Sequence, residues 1–288
     1  MDFLLAAMVQ GLGYSAMGLG IYLSLRIFQL PDITTDGSFT LGAAVTALCL
    51  LNGWGWVSAF LMSLLAGGLA GTATGVIHTR LGIQPLLAGI LVMTALYSVN
   101  LLLMGRSNLP VVNVPTVSDS LTAGVATTNW FLVMLIFILL LTLLLWWLLK
   151  TDFGIAMRAT GNSETMVRAC GVNTAAMKTA GLALANAYTA ASGFLICQFQ
   201  QFADINMGIG IVILGLGSVI IGEALARLTG TSSLWGRLLL IVGGCMLFRL
   251  LVAGALLAGV HPNALKALVA LLVLLVAALP QLQKRSYL

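Results

Sequence analysis

This sequence carries very little charge. Only 7% of its 288 residues are Asp, Glu, Lys or Arg, whereas 60% are hydrophobic and the mean hydropathy is +1.08. Soluble domains carry about 25% charged residues. This composition therefore excludes a soluble domain and indicates an integral membrane protein. Long apolar runs favour helices over a barrel, whose strands would alternate in polarity. We predict one all-α transmembrane domain over residues 1–288, a polytopic bundle of about eight to ten transmembrane or re-entrant helices.

Residues that bind metals or perform catalysis are also scarce. The two histidines, His78 and His261, lie far apart, and no Cys-x-x-Cys spacing relates Cys49, Cys170, Cys197 and Cys245. A phosphate-binding loop is excluded because no Gly-Lys dipeptide occurs, and no Gly-x-Ser-x-Gly motif is present. We therefore expect no metal, cofactor or catalytic residue in this chain, and we interpret the cysteines as packing residues. Energy for any transport must come from a partner or an ion gradient.

Most of the sequence consists of apolar stretches long enough to cross a bilayer, which takes about 20 residues. Two polar segments, residues 105–128 and 150–178, separate some of them. We predict about nine crossings, at Phe3–Leu25, Phe39–Leu51, Trp54–Ile77, Leu86–Met104, Trp130–Leu149, Thr179–Gln198, Met207–Gly222, Leu238–Leu257 and Ala264–Leu279.

Basic residues flank alternate crossings, which defines an orientation by the positive-inside rule. If residues 150–178 are cytoplasmic, the same side also holds Arg26, Arg80, Arg227, Arg237, Lys284 and Arg285. Arg106 and Lys266 fall on the other side. The predicted protein has an outside N-terminus, a cytoplasmic C-terminus and an extracytoplasmic loop at residues 105–128.

Two of the crossings have alternative interpretations. The residues before Phe39 include Asp32, Asp36 and Gly37, so they form either a cytoplasmic loop with Asp36 as helix cap, or the unwound backbone of a broken helix. The crossing at Met207–Gly222 is dense in glycine, which favours a bent or re-entrant helix. Its glycines are Gly208, Gly210, Gly215, Gly217 and Gly222.

Polar side chains within or beside the crossings are costly in lipid and should face a cavity or a partner. Instead of facing a cavity, the amides Asn100, Asn186 and Gln198 could form interhelical hydrogen bonds. Glu223 could form an ion pair with Arg249 or with groups at the cytoplasmic edge. A stripe of Gly67, Gly71 and Gly75 predicts close helix packing. Our candidates for a translocation path are Thr35, Asp36, Ser38, Asn100, Asn186, Gln198 and Glu223.

The polar segment 150–178 contains a predicted short helix. Asn162 or Ser163 can cap its first N–H groups, Glu164 adds negative charge to the first turn, and Gly171 provides a helix end. Such a helix has about eight or nine residues, or about 12–14 Å, and is too short to be stable alone in water. We expect it to dock onto another protein through its apolar residues Met166, Val167, Ala169 and Cys170.

The same segment resembles a known family. TDFGIAMRATGNSE at residues 151–164, then RACGVN at 168–173 and Lys178, closely resembles the coupling segment of permeases in the branched-chain amino acid class of bacterial ATP-binding-cassette (ABC) importers. PDITTDGSFTLGAA at 31–44 and ADINMGIGIVILGLGSVIIGEAL at 203–225 look like the sub-branch that works with lipoprotein or periplasmic binding proteins and has been linked to aromatic or other amino acids. The resemblance covers nearly the whole chain.

The resemblance implies a multi-pass permease of the bacterial inner membrane that forms a homodimer or one half of a pseudo-symmetric pair. An extracytoplasmic binding protein would deliver the solute, and cytoplasmic ATPase subunits would bind ATP and Mg²⁺. The family's Glu-Ala-Ala core reads Glu164-Thr165-Met166 here, so contacts of those small residues do not carry over. The residues assigned to ATPase coupling are Arg158, Gly161, Asn162, Ser163, Glu164, Met166, Val167, Arg168, Ala169 and Gly171.

Two other functional classes remain. An ion-coupled secondary transporter would use Asp36 or Glu223 as the titrating group, but such carriers contain inverted repeats, and none is convincing in this sequence. A structural membrane scaffold would give the glycine-rich, bent helices no purpose. An ABC importer permease for a small solute, an amino acid by resemblance, is the leading hypothesis.

Overall fold

The computed structural model describes residues 2–112, 114–121, 127–261, 264–265 and 267–275. Helices dominate these ranges, with one π-helical turn after the first helix and two short strands. The elements in chain order are α1 Asp2–Tyr22, the π-helical turn Leu23–Ile27, α2 Thr34–Leu51, α3 Trp56–Leu81, α4 Pro85–Met104, β1 Asn108–Pro110, α5 Val117–Leu121, α6 Thr127–Lys150, α7 Asp152–Asn162, α8 Glu164–Ala169, α9 Thr174–Gln200, β2 Phe202–Asp204, α10 Ile211–Leu228 and α11 Leu234–Leu257.

Within the described ranges, eight helices are long and apolar enough to cross a membrane: α1 with its π-helical turn, α2, α3, α4, α6, α9, α10 and α11. The predicted all-α bundle is therefore confirmed. The ninth predicted crossing, Ala264–Leu279, lies partly outside the described residues, although residues 267–275 are helical. Parts of the predicted loop at 105–128 also lie outside them, as do Lys266, Lys284 and Arg285.

Helix α9 occupies the centre of the bundle, where it packs against α1, α2 and α3. Of the 18 most apolar consecutive residues of α9, 78% are buried, against 28% in α4. This is expected for a crossing rich in small residues. Helix α3 approaches it through Gly67, Gly71 and Gly75, and a Cβ added to Gly71 would lie 2.2 Å from the carbonyl oxygen of Leu182. Small residues allow two backbones to touch in this way.

The loops that follow α4 and α9 meet in a two-stranded antiparallel sheet, which the sequence analysis did not predict. Leu109 of β1 lies opposite Ala203 of β2, and the N–H of Val111 donates to the carbonyl of Gln201 at 2.8 Å. We call this end of the bundle the sheet end. The opposite end, where α1, α6 and α10 finish, is called the basic end.

Two helices begin inside the bundle instead of at one of its ends. The first turns of α2 lie beside the middle of α9, where Ser38 donates to Asn186 at 2.7 Å. Helix α10 begins against the same turn of α2, because the N–H groups of Gly210 and Val212 donate to the carboxylate of Asp36, each at 2.9 Å. The chain thus leaves β2 at the sheet end, returns to the middle without forming a helix, and starts α10 there.

The predicted start of α2 at Phe39, with Asp36 as its cap, is wrong. Helix α2 begins at Thr34, whose N–H donates to the Asp32 carboxylate at 2.8 Å. Asp36 lies inside the first turn of α2 and accepts hydrogen bonds from the start of α10. The physical reason is that the free N–H groups of a helix beginning away from water need a protein acceptor.

Candidate docking segment and buried polar groups

The segment between α6 and α9, residues 151–173, folds into two short helices, and we call it the docking segment. The hydroxyl of Thr151 accepts from the N–H of Gly154 and caps α7 directly after α6. Ser163 is extended, with φ of −153°, and its hydroxyl accepts from the N–H of Met166 to cap α8. Gly171, just after α8, has a φ of 84°. Ser163 and Gly171 therefore bound α8 on its two sides.

Helix α8 is shorter than predicted, and α7 was not predicted at all. The structure has six helical residues, Glu164–Ala169, where about eight or nine were expected. The turn closes early because the N–H of Gly171 already bonds to the carbonyl of Arg168 at 3.0 Å. Asn162, considered as a cap for this helix, is instead the last residue of α7. The Thr151-Asp152 pair is the helix-start signal that was missed.

Glu164 ties the start of α8 to the first turn of α9. Its carboxylate accepts hydrogen bonds from Arg168 at 2.8 Å, from Thr174 at 3.2 Å and from Lys178 at 2.5 Å. The hydrogen bond from Lys178, supported by the charges of Lys178 and Arg168, holds the pKa of the Glu164 carboxyl below its ordinary value, against a smaller opposing effect of partial burial. The carboxylate therefore stays ionised at neutral pH and closes the segment into a loop.

The apolar residues of α8 divide between two sides. Val167 is buried against the protein, whereas Met166 is 70% exposed and Ala169 and Cys170 are exposed beside it. The predicted apolar face is thus split, since one residue holds α8 in place and the other three face outward. A small apolar surface next to Arg168 is left for a partner.

Helix α7 is packed tightly onto the π-helical turn that ends α1. A Cβ added to Gly161 would lie 1.7 Å from the carbonyl oxygen of Ile27, and Met157 is fully buried. Arg158 and Asn162 lie on the exposed side of α7. Because close-packed interiors do not deform continuously, a displacement of α7 must also displace the end of α1.

Five of the seven pathway candidates lie together around the first turns of α2. Ser38 and Asn186 form a buried network with Asp32, which the sequence analysis did not select: Asn186 donates to Asp32 at 2.7 Å and accepts from Ser38. The hydroxyl of Thr35 donates weakly to the Asp32 carbonyl at 3.4 Å. The bond between Ser38 of α2 and Asn186 of α9 is an interhelical hydrogen bond, as the alternative interpretation of Asn186 predicted.

Asn100 and Asp36 line a small cleft beside this network. Asn100 is 1% exposed, and its amide donates to the Gly37 carbonyl at 3.3 Å, but its oxygen has no hydrogen-bond partner among the described residues. The cleft has a volume of about 30 Å³ and is also lined by Tyr97 and Ile209. That volume suits a single water or a donor group of similar size, and neither Tyr97 nor the cleft was predicted.

The other two candidates lie at opposite ends of the bundle. Gln198 accepts at 2.9 Å from a backbone N–H at the start of α5, at the sheet end. Glu223 forms an ion pair with Arg26 at the basic end, and Arg249 donates to Gln10 instead. The suggested pair between Glu223 and Arg249 is therefore wrong, and the alternative of a partner at the edge of the bundle describes Glu223 correctly.

Comparison with known proteins places these features in a family context. The profile of the family described as "Branched-chain amino acid transport system / permease component" matches residues 3–278. The chain is 37% identical over 227 residues to the tyrosine transport system permease protein of Clostridioides difficile (strain R20291), covering 79% of this chain and 75% of that protein. It is 27% identical to the autoinducer 2 import system permease protein LsrC of Yersinia pestis (strain Pestoides F), covering 70% of this chain and 57% of that protein.

Among solved structures, the fold is similar to that of a metal-chelate type ABC transporter in an inward-facing conformation. The TM-score is 0.52 at 15% sequence identity, with 96% of this chain and 83% of that chain covered. At this identity the likeness concerns the fold alone.

Proposed function

Because the chain belongs to the family of branched-chain amino acid transport system permease components, we propose that it moves a small solute through the membrane as the permease of an ABC importer. The transport would proceed by alternating access. The energy would come from ATP, bound with Mg²⁺ on partner ATPase subunits, since this sequence contains no phosphate-binding loop.

The geometry of α7 and α8 supports the proposed contact with the ATPase. Helix α8 presents Met166 and Arg168 outward, Glu164 fastens it to α9, and α7 connects it to the end of α1 through the contact of Gly161 with Ile27. A partner that pushes on α8 therefore moves a rigid connection into the bundle. A solvated connecting loop would need neither the capped helix nor this close packing.

The proposed orientation puts the basic end in the cytoplasm. This end holds Arg26 and Lys150 at the ends of two membrane helices and the charged residues of α7 and α8, which fits the positive-inside rule. The N-terminus would then be outside and the sheet end would face the binding protein. We further propose a bacterial inner membrane location and a homodimer, because one docking segment serves one of two ATPase subunits.

The proposed solute is an amino acid, and an aromatic one is the first choice. This rests on the 37% identity to a permease named for tyrosine transport. An ion-coupled carrier is not favoured, because Asp36 is held by two backbone N–H groups and Glu223 by Arg26.

Reconstitution tests both the energy source and the solute. The permease, its ATPase and its binding protein are placed in liposomes, and uptake of labelled tyrosine is compared with uptake of leucine and alanine. We expect uptake that needs ATP and the binding protein and is unchanged when ion gradients are collapsed. Gradient-driven uptake by the permease alone would contradict the proposal, and ATP-driven uptake of another solute would replace only the choice of tyrosine.

A further inference from the structure

The basic end contains two neighbouring cavities that the transport cycle described above does not use. The first, of about 540 Å³, lies between the ends of α1 and α10, the start of α11 and the loop at residues 229–233. The second, of about 610 Å³, lies between the end of α1, α7 and the start of α11. Both are lined by Tyr22, Arg26, Ser232 and Arg237, so they share a wall.

The walls of these cavities are strongly positive. Arg26, Arg158, Arg227 and Arg237 line them, with Glu223 as the acidic residue of the lining. Glu223 is paired with Arg26. In the part of the chain that the structure describes, no hydrogen bond or ion pair engages the guanidinium groups of the other three arginines. Each cavity is thus lined by two unpaired guanidinium groups, Arg227 and Arg237 in the first and Arg158 and Arg237 in the second, which indicates a site for an anion.

The neutral groups of the wall also suit an anion. Ser232 contributes a hydroxyl donor to both cavities, and Gly230, with a φ of 64°, lines the first. Helix α11 begins at Leu234, which lines the second cavity, and the start of a helix carries a partial positive charge. Guanidinium groups bind phosphate oxygens through paired N–H donors, in a fork that a single ammonium lacks.

Apolar residues also line the two cavities. Ile241 lines the first cavity, and Ile155 and Leu234 line the second. Leu228, next to Arg227, is 83% exposed. A basic pocket between membrane helices with apolar flanks is the arrangement that receives the head group of an anionic lipid, and such groups lie at the cytoplasmic face of the membrane.

We propose that these cavities bind a phosphate group, supplied either by an anionic phospholipid or by a free phosphate ester. The volumes fall in the range of small-ligand sites, about 300–1,000 Å³. A phosphate held in the second cavity between Arg158 of α7 and Arg237 of α11 joins the docking segment to the start of α11. Occupancy therefore fixes the position of α7 and regulates docking without contacting the solute, so the inference does not depend on which solute is carried.

The test uses the full chain purified in a neutral detergent, and its readout is the midpoint of thermal unfolding. Phosphatidylglycerol is titrated in one arm, phosphatidylcholine in a second, and inorganic phosphate in a third at constant ionic strength. The variant is Arg227→Gln with Arg237→Gln, and the control is Arg106→Gln, an exposed arginine at the sheet end. We expect phosphatidylglycerol to raise the midpoint of the wild type and the control, and the double variant to need about tenfold more lipid for the same shift.

The arms identify the source of the phosphate. A response to phosphatidylglycerol but not to inorganic phosphate assigns the site to lipid, and a response to both assigns it to the phosphate group itself. A double variant that responds like the wild type in every arm overturns the proposal. If that variant also fails to co-purify with the ATPase, the arginines form a protein contact instead of a phosphate site. Arg237→Lys checks folding and should retain part of the response.

Discussion

The docking segment at the basic end and the junction of α2 with α10 in mid-bundle hold two helix starts in different ways. At the basic end Ser163 caps α8 within its own segment, and Glu164 bonds to residues close in sequence. In mid-bundle the start of α10 is capped by Asp36, a residue far away in sequence, with no charged partner in the contact. At the basic end water can replace a lost hydrogen-bond partner, so local contacts are sufficient. In mid-bundle water cannot do so, and the protein itself must supply the acceptor.

This difference suggests a division of roles. The docking segment is exposed and locally stabilised, so it can contact a partner without loss of the fold. The mid-bundle junction interrupts the helical backbone at membrane depth, which is tolerated where the irregular part is buried or lines a cavity. Variants in the two regions should therefore affect different measurements, assembly in the first and folding or transport in the second.

The largest effect is expected from Asp36→Ala, which leaves the N–H groups of Gly210 and Val212 without their acceptor. Each unsatisfied buried group costs about 1–3 kcal/mol, so the unfolding midpoint should fall and transport should be lost. Asp36→Asn keeps one acceptor oxygen and should lose less. Thermal unfolding in detergent and uptake in liposomes measure the two effects. An Ala variant as stable as the wild type would show that the Asp36 contact does not support α10.

The docking segment is held by contacts close in sequence and the α2–α10 junction by contacts far apart in sequence. This difference explains why the first could be predicted from the sequence and the second could not. The start of α8 at Ser163 or Asn162 and its end before Gly171 were predicted, because capping residues and glycine are local signals. The role of Asp36 was not, since its partners lie in another glycine-rich segment and no periodicity connects them. Asp32 was missed for the same reason, because its bond to Asn186 spans most of the chain. The arginine cavities gather residues from α1, α7, α10 and α11, which only the fold brings together.

A second effect, on assembly, is expected from Gly161→Ala. The added Cβ would overlap the carbonyl of Ile27, and overpacking of this kind costs about 1–3 kcal/mol, so α7 must shift from α1. ATP hydrolysis coupled to transport should fall about tenfold. Gly243→Ala is the matched control, because no atom beyond the adjacent backbone of its own helix lies within 4 Å of its added Cβ. Equal activities of the two variants would remove the mechanical role of α7.

A smaller effect is expected from Glu164→Gln, which keeps the size of the side chain but removes its charge. Exposed ion pairs contribute only about 0.2–1 kcal/mol each, so affinity for the ATPase should fall by a few-fold. Asp119→Gln, on the loop of the sheet end, is the comparison variant and should not change that affinity. An unchanged affinity in Glu164→Gln would mean that the closed loop is not what the ATPase binds.

The smallest effect is a pH dependence confined to the docking segment. Because the pKa of Glu164 is lowered in the folded protein, its ion pairs contribute fully at neutral pH and are lost as the pH falls through that lowered value. Hydrogen exchange of the α8 amides, compared between wild type and Glu164→Gln at each pH, should differ at neutral pH and converge in acid. A difference that grows in acid would contradict this sign.

A cross-link from α8 tests whether the docking segment contacts the ATPase. With Cys170→Ser to remove the exposed native thiol, Met166→Cys and Trp54→Cys place single reactive thiols at the basic end and at the opposite end, where Met166 and Trp54 are 70% and 53% exposed. A cysteine-to-lysine reagent of short span is applied to the complex with its ATPase. We expect a permease–ATPase product from position 166 and none from position 54. A complex that hydrolyses ATP but gives no product from position 166 would contradict it.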